Sequence, residues 1–193
     1  MHCADDKLGR REFVERALQA SIAAACSLCL PAALAEGDDA GRPAPGDLLV
    51  GVDDPSKKAL TAADIPLDSK PVIAYPFDRP SGVVRSGSRL NKIALVRLAA
   101  DTLDADSASR SAGGVLAFSA VCTHQGCQVG QWLPAEQNLM CFCHFSKFAV
   151  RAKGAVVSGP APRSLPVLPL TERAGELVVA APFSTAPGAS HQG

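Results

Sequence analysis

The sequence predicts an all-β protein, and three observations carry that expectation. Fifteen prolines and sixteen glycines punctuate the 193 residues, which suits a loop-rich sheet protein better than a helical bundle. Between these breaks lie short apolar runs, and Val72, Ile73, Ile93, Leu95 and Val96 are β-branched or bulky residues suited to a half-buried sheet. Hydrophobic residues make up 47% of the chain, enough for one well-packed domain and too little for two large ones. The formal net charge is zero, so no basic footprint argues for nucleic acid.

Residues 1–35 read as an export signal. Arg10-Arg11-Glu-Phe13 is a twin-arginine pattern, and an alanine-rich apolar run follows from Ala17 to Ala35. The run ends in Ala33-Leu-Ala35, the small-residue shape cut by a signal peptidase. Cleavage after Ala35 places the mature chain in the periplasm. An uncleaved run of this length approaches the ~20 residues that span a bilayer and would anchor the chain to the inner membrane. Cys3, Cys26 and Cys29 leave with the signal, so the mature chain keeps Cys122, Cys127, Cys141 and Cys143.

Residues 36–46 read as a flexible linker, rich in Gly, Asp and Pro. A domain over residues 47–183 follows, with strands expected at 47–52, 72–75, 92–97, 115–120, 139–142, 155–158 and 176–180. Leu60 to Ile65 suits one helical turn, and residues 101–114, rich in Ser, Ala and Asp, suit an exposed loop or short helix. Residues 184–193 read as a flexible tail, with His191 in solvent.

The chemistry concentrates between residues 122 and 146. Cys122-Thr-His124-Gln-Gly-Cys127 is followed by Cys141-Phe-Cys143-His144-Phe-Ser146. Two Cys and two His can face one metal site as C-x-H and C-x-x-H, separated by a loop. One reading is a tetrahedral structural zinc in a binding module without a redox role. That reading lacks the usual pair of His on one helix and leaves Cys127 and Cys143 unexplained. The other reading has two thiolates on one iron and two imidazoles on a second, as in a Rieske [2Fe–2S] centre.

These two boxes resemble the high-potential Rieske family. Gly159-Pro-Ala-Pro162, followed by Arg163, is similar to the proline-rich loop that covers the cluster in that family. The resemblance is close over residues 118–165. It implies an antiparallel β-sheet base with a cluster-binding subdomain inserted at about 120–163. It also implies one [2Fe–2S] cluster, with Cys122 and Cys141 on the buried iron, His124 and His144 on the exposed iron, and a Cys127–Cys143 disulfide tying the two loops. A disulfide is at home in an oxidising periplasm. Ser146 matches the family serine whose hydroxyl donates to a bridging sulfide, whereas Phe148 stands where the highest-potential members carry a Tyr.

The departures bear on the partner. Phe142 replaces the usual Pro, Phe145 the Gly of cytochrome bc subunits, and Ala149 a common Asp. Gln125 stands where cytochrome bc subunits carry a Leu at the quinone-docking tip. Cys-His-Phe-Ser-x-Phe looks more like the small subunit of arsenite oxidase. The resemblance therefore implies an electron-transfer subunit of a periplasmic oxidoreductase, with a larger catalytic subunit, a molybdenum enzyme among the candidates, and a cytochrome c-type acceptor. A Rieske subunit of a quinol–cytochrome c reductase is the alternative. A ferredoxin for a ring-hydroxylating oxygenase is disfavoured by Cys127, Cys143 and the signal. Lys147, Arg151, Lys153 and Arg163 surround the second box as a basic rim able to steer an acidic partner. No substrate pocket, nucleophile or acid/base pair is legible elsewhere, so the chain reads as a wire within an enzyme.

Overall fold

The structure is a computed structural model that describes residues 41–189. The export signal, the first half of the linker and the last residues of the tail lie outside the described residues. Within them the chain is almost entirely β, with short 3-10 turns and one α-helix, α1 (Ala105–Ser109).

Seven strands form the base sheet: β1 (Leu48–Gly51), β2 (Val72–Asp78), β3 (Val83–Val84), β4 (Ile93–Arg97), β5 (Val115–Ser119), β10 (Leu170–Arg173) and β11 (Glu176–Val179). Their order is β10-β11-β1-β2-β4-β5, with β3 paired to β2, and every pairing is antiparallel. A second antiparallel sheet, β6 (Val129–Leu133), β7 (Asn138–Cys141), β8 (Lys147–Ala149) and β9 (Ala155–Ser158), is inserted in the chain between β5 and β10.

β4 and β5 explain why the two sheets share one body. Successive side chains of a strand point to opposite faces. On one face Ala94, Val96, Leu116 and Phe118 pack with Leu139, Phe148 and Leu165. On the other, Ile93, Leu95, Val115 and Ala117 pack with Leu49, Leu168 and Leu177. Burial on both faces is why these strands are continuously apolar over Ile93–Val96 and Val115–Phe118 rather than alternating. Phe118 is fully buried in the core that also holds Cys122 and Cys141. Phe118→Ala is therefore expected to cost about 3–5 kcal/mol; a denaturant titration checks this.

Several strands escaped the sequence reading. β6 carries a register irregularity between Val129 and Gln131, which breaks its alternation. β8 spans three residues, and β3 two. β10 keeps only its first residue buried, and its turn to β11 runs through Ala174 and Gly175, both at positive φ. That is a primed hairpin turn made with Ala, a weaker signal than Asn-Gly. β2 continues past Tyr75 through Pro76, because Pro76 falls between the residues paired to β4 and those paired to β3, where a missing N–H disturbs least.

Two expected flexible segments are fastened. Within the linker, Gly41 accepts a 2.6 Å bond from Asn91 Nδ2, and Gly46 N–H donates to Val179 at 2.9 Å. The anchor is Asp47, 4% exposed, which accepts from Ala44 N–H and pairs with Arg85 at 2.9 Å. In the tail, Ser184 N–H bonds Val167 O at 2.8 Å, and Arg163 donates to Ala186 O and Gly188 O at 2.7 and 2.6 Å. Two tail carbonyls satisfied by a guanidinium, and a tail N–H given to Val167 O, hold residues 184–189 on the domain.

Candidate metal centre

The first box is a tight turn closed on itself. Cys122 N–H bonds Cys127 O at 2.8 Å and Gly126 N–H bonds Cys122 O at 2.9 Å. Gly126 takes φ +77°, and a Cβ there would stand 2.9 Å from the Arg89 guanidinium. Arg89 uses that closeness to donate to Gly126 O at 2.7 Å. In the second box, Cys141 ends β7, and its N–H bonds Ser146 O at 2.9 Å, folding residues 142–145 outward.

Cys122 and Cys141 are each 1% exposed and unbonded to other cysteines. The two thiols are neighbours: burial pushes the Cys122 thiol up to about 11, the amides of His124 and Gln125 oppose this by donating to its sulfur, and the Cys141 thiol reinforces it. Two adjacent buried thiols ionise only against compensating positive charge. On the outer side His124 and His144 meet edge-to-face, with ring centroids 4.7 Å apart and Nδ1 atoms 3.2 Å apart. His144 is exposed and His124 half-buried.

This donor set fits a Rieske-type cluster. The two imidazole Nδ1 atoms are 3.2 Å apart, close enough that both would reach one metal ion, with the two buried thiols left to hold a second. The sulfurs of Cys127, Cys141 and Cys143 also lie within 4.8 Å of one another. Cys127 and Cys143 are joined in a disulfide, with Cα atoms 6.5 Å apart, so of these three only Cys141 retains a thiol for a metal.

The proline loop closes over the site. Ala161 N–H donates to Ser146 Oγ at 3.1 Å, which satisfies the oxygen and leaves the hydroxyl proton to point elsewhere. Ser146 is fully buried. Gly159 takes φ +89°, and a Cβ there would lie 2.5 Å from Ser146 Cα; no larger residue allows this approach. Thr123, between the two possible ligands of the first box, was not singled out by the sequence. It is buried and donates to Arg163 O at 2.7 Å, fastening the first box to the proline loop. Nothing local in the sequence signals that bond.

The basic rim is engaged internally. Lys147 pairs with Glu136 at 3.0 Å and Lys153 with Asp106 at 2.8 Å. Arg151 bonds Gln137 and Thr102 O, and Arg163 holds the tail. Lys147, then Asn138, holds the Glu136 carboxyl below the usual carboxylate range. These cations are engaged within the second sheet, with the connection between β4 and β5, and with the tail.

A model of the Rieske [2Fe-2S] domain matches residues 77–169, which include both boxes and the proline loop. The chain is 37% identical over 105 residues to a putative respiratory nitrate reductase subunit Rieske of Haloferax mediterranei, across 54% of this chain and 44% of that protein. It is 29% identical over 130 residues to a cytochrome bc1 complex Rieske iron-sulfur subunit of Streptomyces lividans, across 64% of this chain and 72% of that one. A cyanobacterial plasma membrane Rieske protein of Synechocystis, solved as a crystal structure, shares 30% identity over 47% of this chain and 77% of that chain, with a TM-score of 0.35. The chain spans under half the length of the Haloferax protein and 18% of a cytochrome bc1 Rieske subunit of Corynebacterium diphtheriae.

Proposed function

Because the chain belongs to the Rieske [2Fe-2S] domain family, whose cofactor is one [2Fe–2S] cluster, we propose that Cys122 and Cys141 hold one iron and His124 and His144 the other, in an electron-transfer subunit of a larger oxidoreductase. The observation that carries this is the pairing of two buried, adjacent thiols with two imidazoles whose Nδ1 atoms converge to 3.2 Å. When bound, the cluster supplies reversible one-electron chemistry; two neutral imidazoles in place of thiolates raise its potential into roughly the −150 to +300 mV range. The chain's own residues set what surrounds it. Cys122 and Cys141 bury one side, His144 brings the other to solvent, and the proline loop and disulfide limit access by water.

The partner proposed is a larger catalytic subunit, of the arsenite-oxidase kind, passing electrons on to a c-type cytochrome. The Cys-His-Phe-Ser-x-Phe pattern and the polar Gln125 support that reading, as does similarity to a subunit named for a respiratory nitrate reductase. A second reading, a Rieske subunit of a quinol–cytochrome c reductase, draws support from the similarity to a cytochrome bc1 subunit over 64% of this chain. The compartment proposed is the periplasm, reached through the twin-arginine signal at residues 1–35. Changing Arg10 and Arg11 to Lys is expected to hold the protein in the cytoplasm; undiminished periplasmic accumulation would contradict it.

Anaerobic titration tests the electron-transfer role: one electron per chain is expected, reversibly, and none would overturn it. The same titration tests Ser146. A hydroxyl donor stabilises the added negative charge of the reduced state more than the oxidised state. A charge-assisted bond of roughly 1.5–3 kcal/mol then moves a one-electron couple by tens of millivolts to somewhat over a hundred. Ser146→Ala is expected to lower the midpoint by that order, and an unchanged midpoint would remove the role.

A further inference from the structure

Phe142 and Phe145 are 67% and 58% exposed, whereas the other described phenylalanines are buried at least in part. They stand on either side of Cys143 and His144 and meet edge-to-face, with centroids 5.7 Å apart. Phe145 holds φ +58°, a left-handed conformation that glycine adopts freely and a bulky side chain resists. The chain thus keeps an aromatic ring in water at a position where the backbone favours none. The loop under the rings is rigid, because Cys143 is bonded to Cys127. Two pre-organised apolar rings in a fixed frame are the usual anchors of a protein interface.

The same tip is cationic on its other side. Gly126, next to Cys127, is held by Arg89. Arg89 and Arg42 line an open cleft of about 890 Å³ together with Gln125 of the first box. Both arginines are exposed, and among the described residues no carboxylate pairs with either.

We propose that Phe142 and Phe145, with Arg42 and Arg89 of the cleft lined by Gln125, dock a small electron-carrier protein whose redox-active edge is apolar and ringed by carboxylates. This rests on the reading that His124 and His144 ligate the cluster. A recess that receives both rings also covers His144 between them, bringing the carrier to the exposed side of the site. The carboxylate ring meets Arg42 and Arg89 and orients the encounter. The transfer is one electron: the reduced protein is oxidised by one, the carrier's ferric haem iron becomes ferrous, and no covalent bond changes. A bilayer fits less well, since two rings on a tight loop bury little area and lipid accepts no electron.

The test is binding of the holoprotein to two probes, an acidic and a basic c-type cytochrome, by titration calorimetry, with reduction of ferricyanide as a partner-free control. The acidic cytochrome is expected to bind more tightly, and less so as salt rises. Phe142→Ser and Phe145→Gly should each weaken that binding about tenfold or more, the second with no backbone strain. Arg42→Gln should reduce the salt dependence. Leu67→Ala, at another exposed apolar residue, should change nothing, and ferricyanide rates should be unaffected by the phenylalanine and leucine variants. The proposal is overturned if the acidic cytochrome does not bind, if the basic one binds as well, or if the phenylalanine variants keep full affinity. Binding to anionic phospholipid vesicles through these rings, in place of the cytochrome, also overturns it. Failure of the ligand reading would appear separately, as wild-type protein that contains no iron and reduces no ferricyanide.

Discussion

His144→Ala is expected to yield a folded protein without iron. His144 is exposed and contributes to none of the buried cores, so its removal costs the base sheet little. Its contribution is one of two Nδ1 atoms that converge on one point. Losing even a partner to a metal ligand typically costs 10–100-fold in metal affinity, and losing a ligand itself costs more. Iron and sulfide should therefore fall to background while the far-UV spectrum keeps its β signature. His124→Ala should do the same. Cys141→Ser is a different case, because it also alters a fully buried position shared with Phe118 and Phe148. Comparing iron content with unfolding midpoints across the three variants separates ligation from packing.

The second large effect concerns the disulfide. Cys127 and Cys143 are 16 residues apart in sequence, and cross-linking a loop of about that size stabilises by roughly 3 kcal/mol in the chain-entropy account. Replacing both with Ser should remove about that much. The loss should fall on the two boxes, since each half of the bond lies in a different one and the base sheet pairs without them. The expected result is faster bleaching of the visible spectrum on mild heating, with base-sheet melting shifted far less. Equal shifts in both signals would mean that the bond braces the whole domain.

Much of the fold was legible where one force dominates. Val115 to Ser119 and Ile93 to Arg97 read as strands because burial on both faces leaves no other pattern. Val129 to Leu133 and Leu170 to Arg173 did not, since a bulge and exposed polar residues erase the period of two. The fastening of residues 41–46 and 184–189 was hidden for another reason. It depends on Asp47, Arg85, Asn91 and Arg163, whose partners lie far away in sequence. At the site, Cys122, His124, Cys141 and His144 stood out by residue type and spacing. Phe142 and Phe145 stood out as departures from the family pattern, but not as an exposed pair, because a sequence gives residue types and not which of them a loop turns outward. Nor did it reveal that Gly159 is needed for contact with Ser146, where an added Cβ would lie 2.5 Å from Ser146 Cα.

The central claim is that two thiolates and two imidazoles share one two-iron cluster. Pulsed electron paramagnetic resonance of the reduced protein, grown with nitrogen-15 histidine, tests it most directly. The account predicts two strongly coupled histidine nitrogens, with the coupling pattern lost on replacing His124 or His144. A colourless protein holding one zinc per chain, or a paramagnetic centre with no histidine coupling, would contradict it.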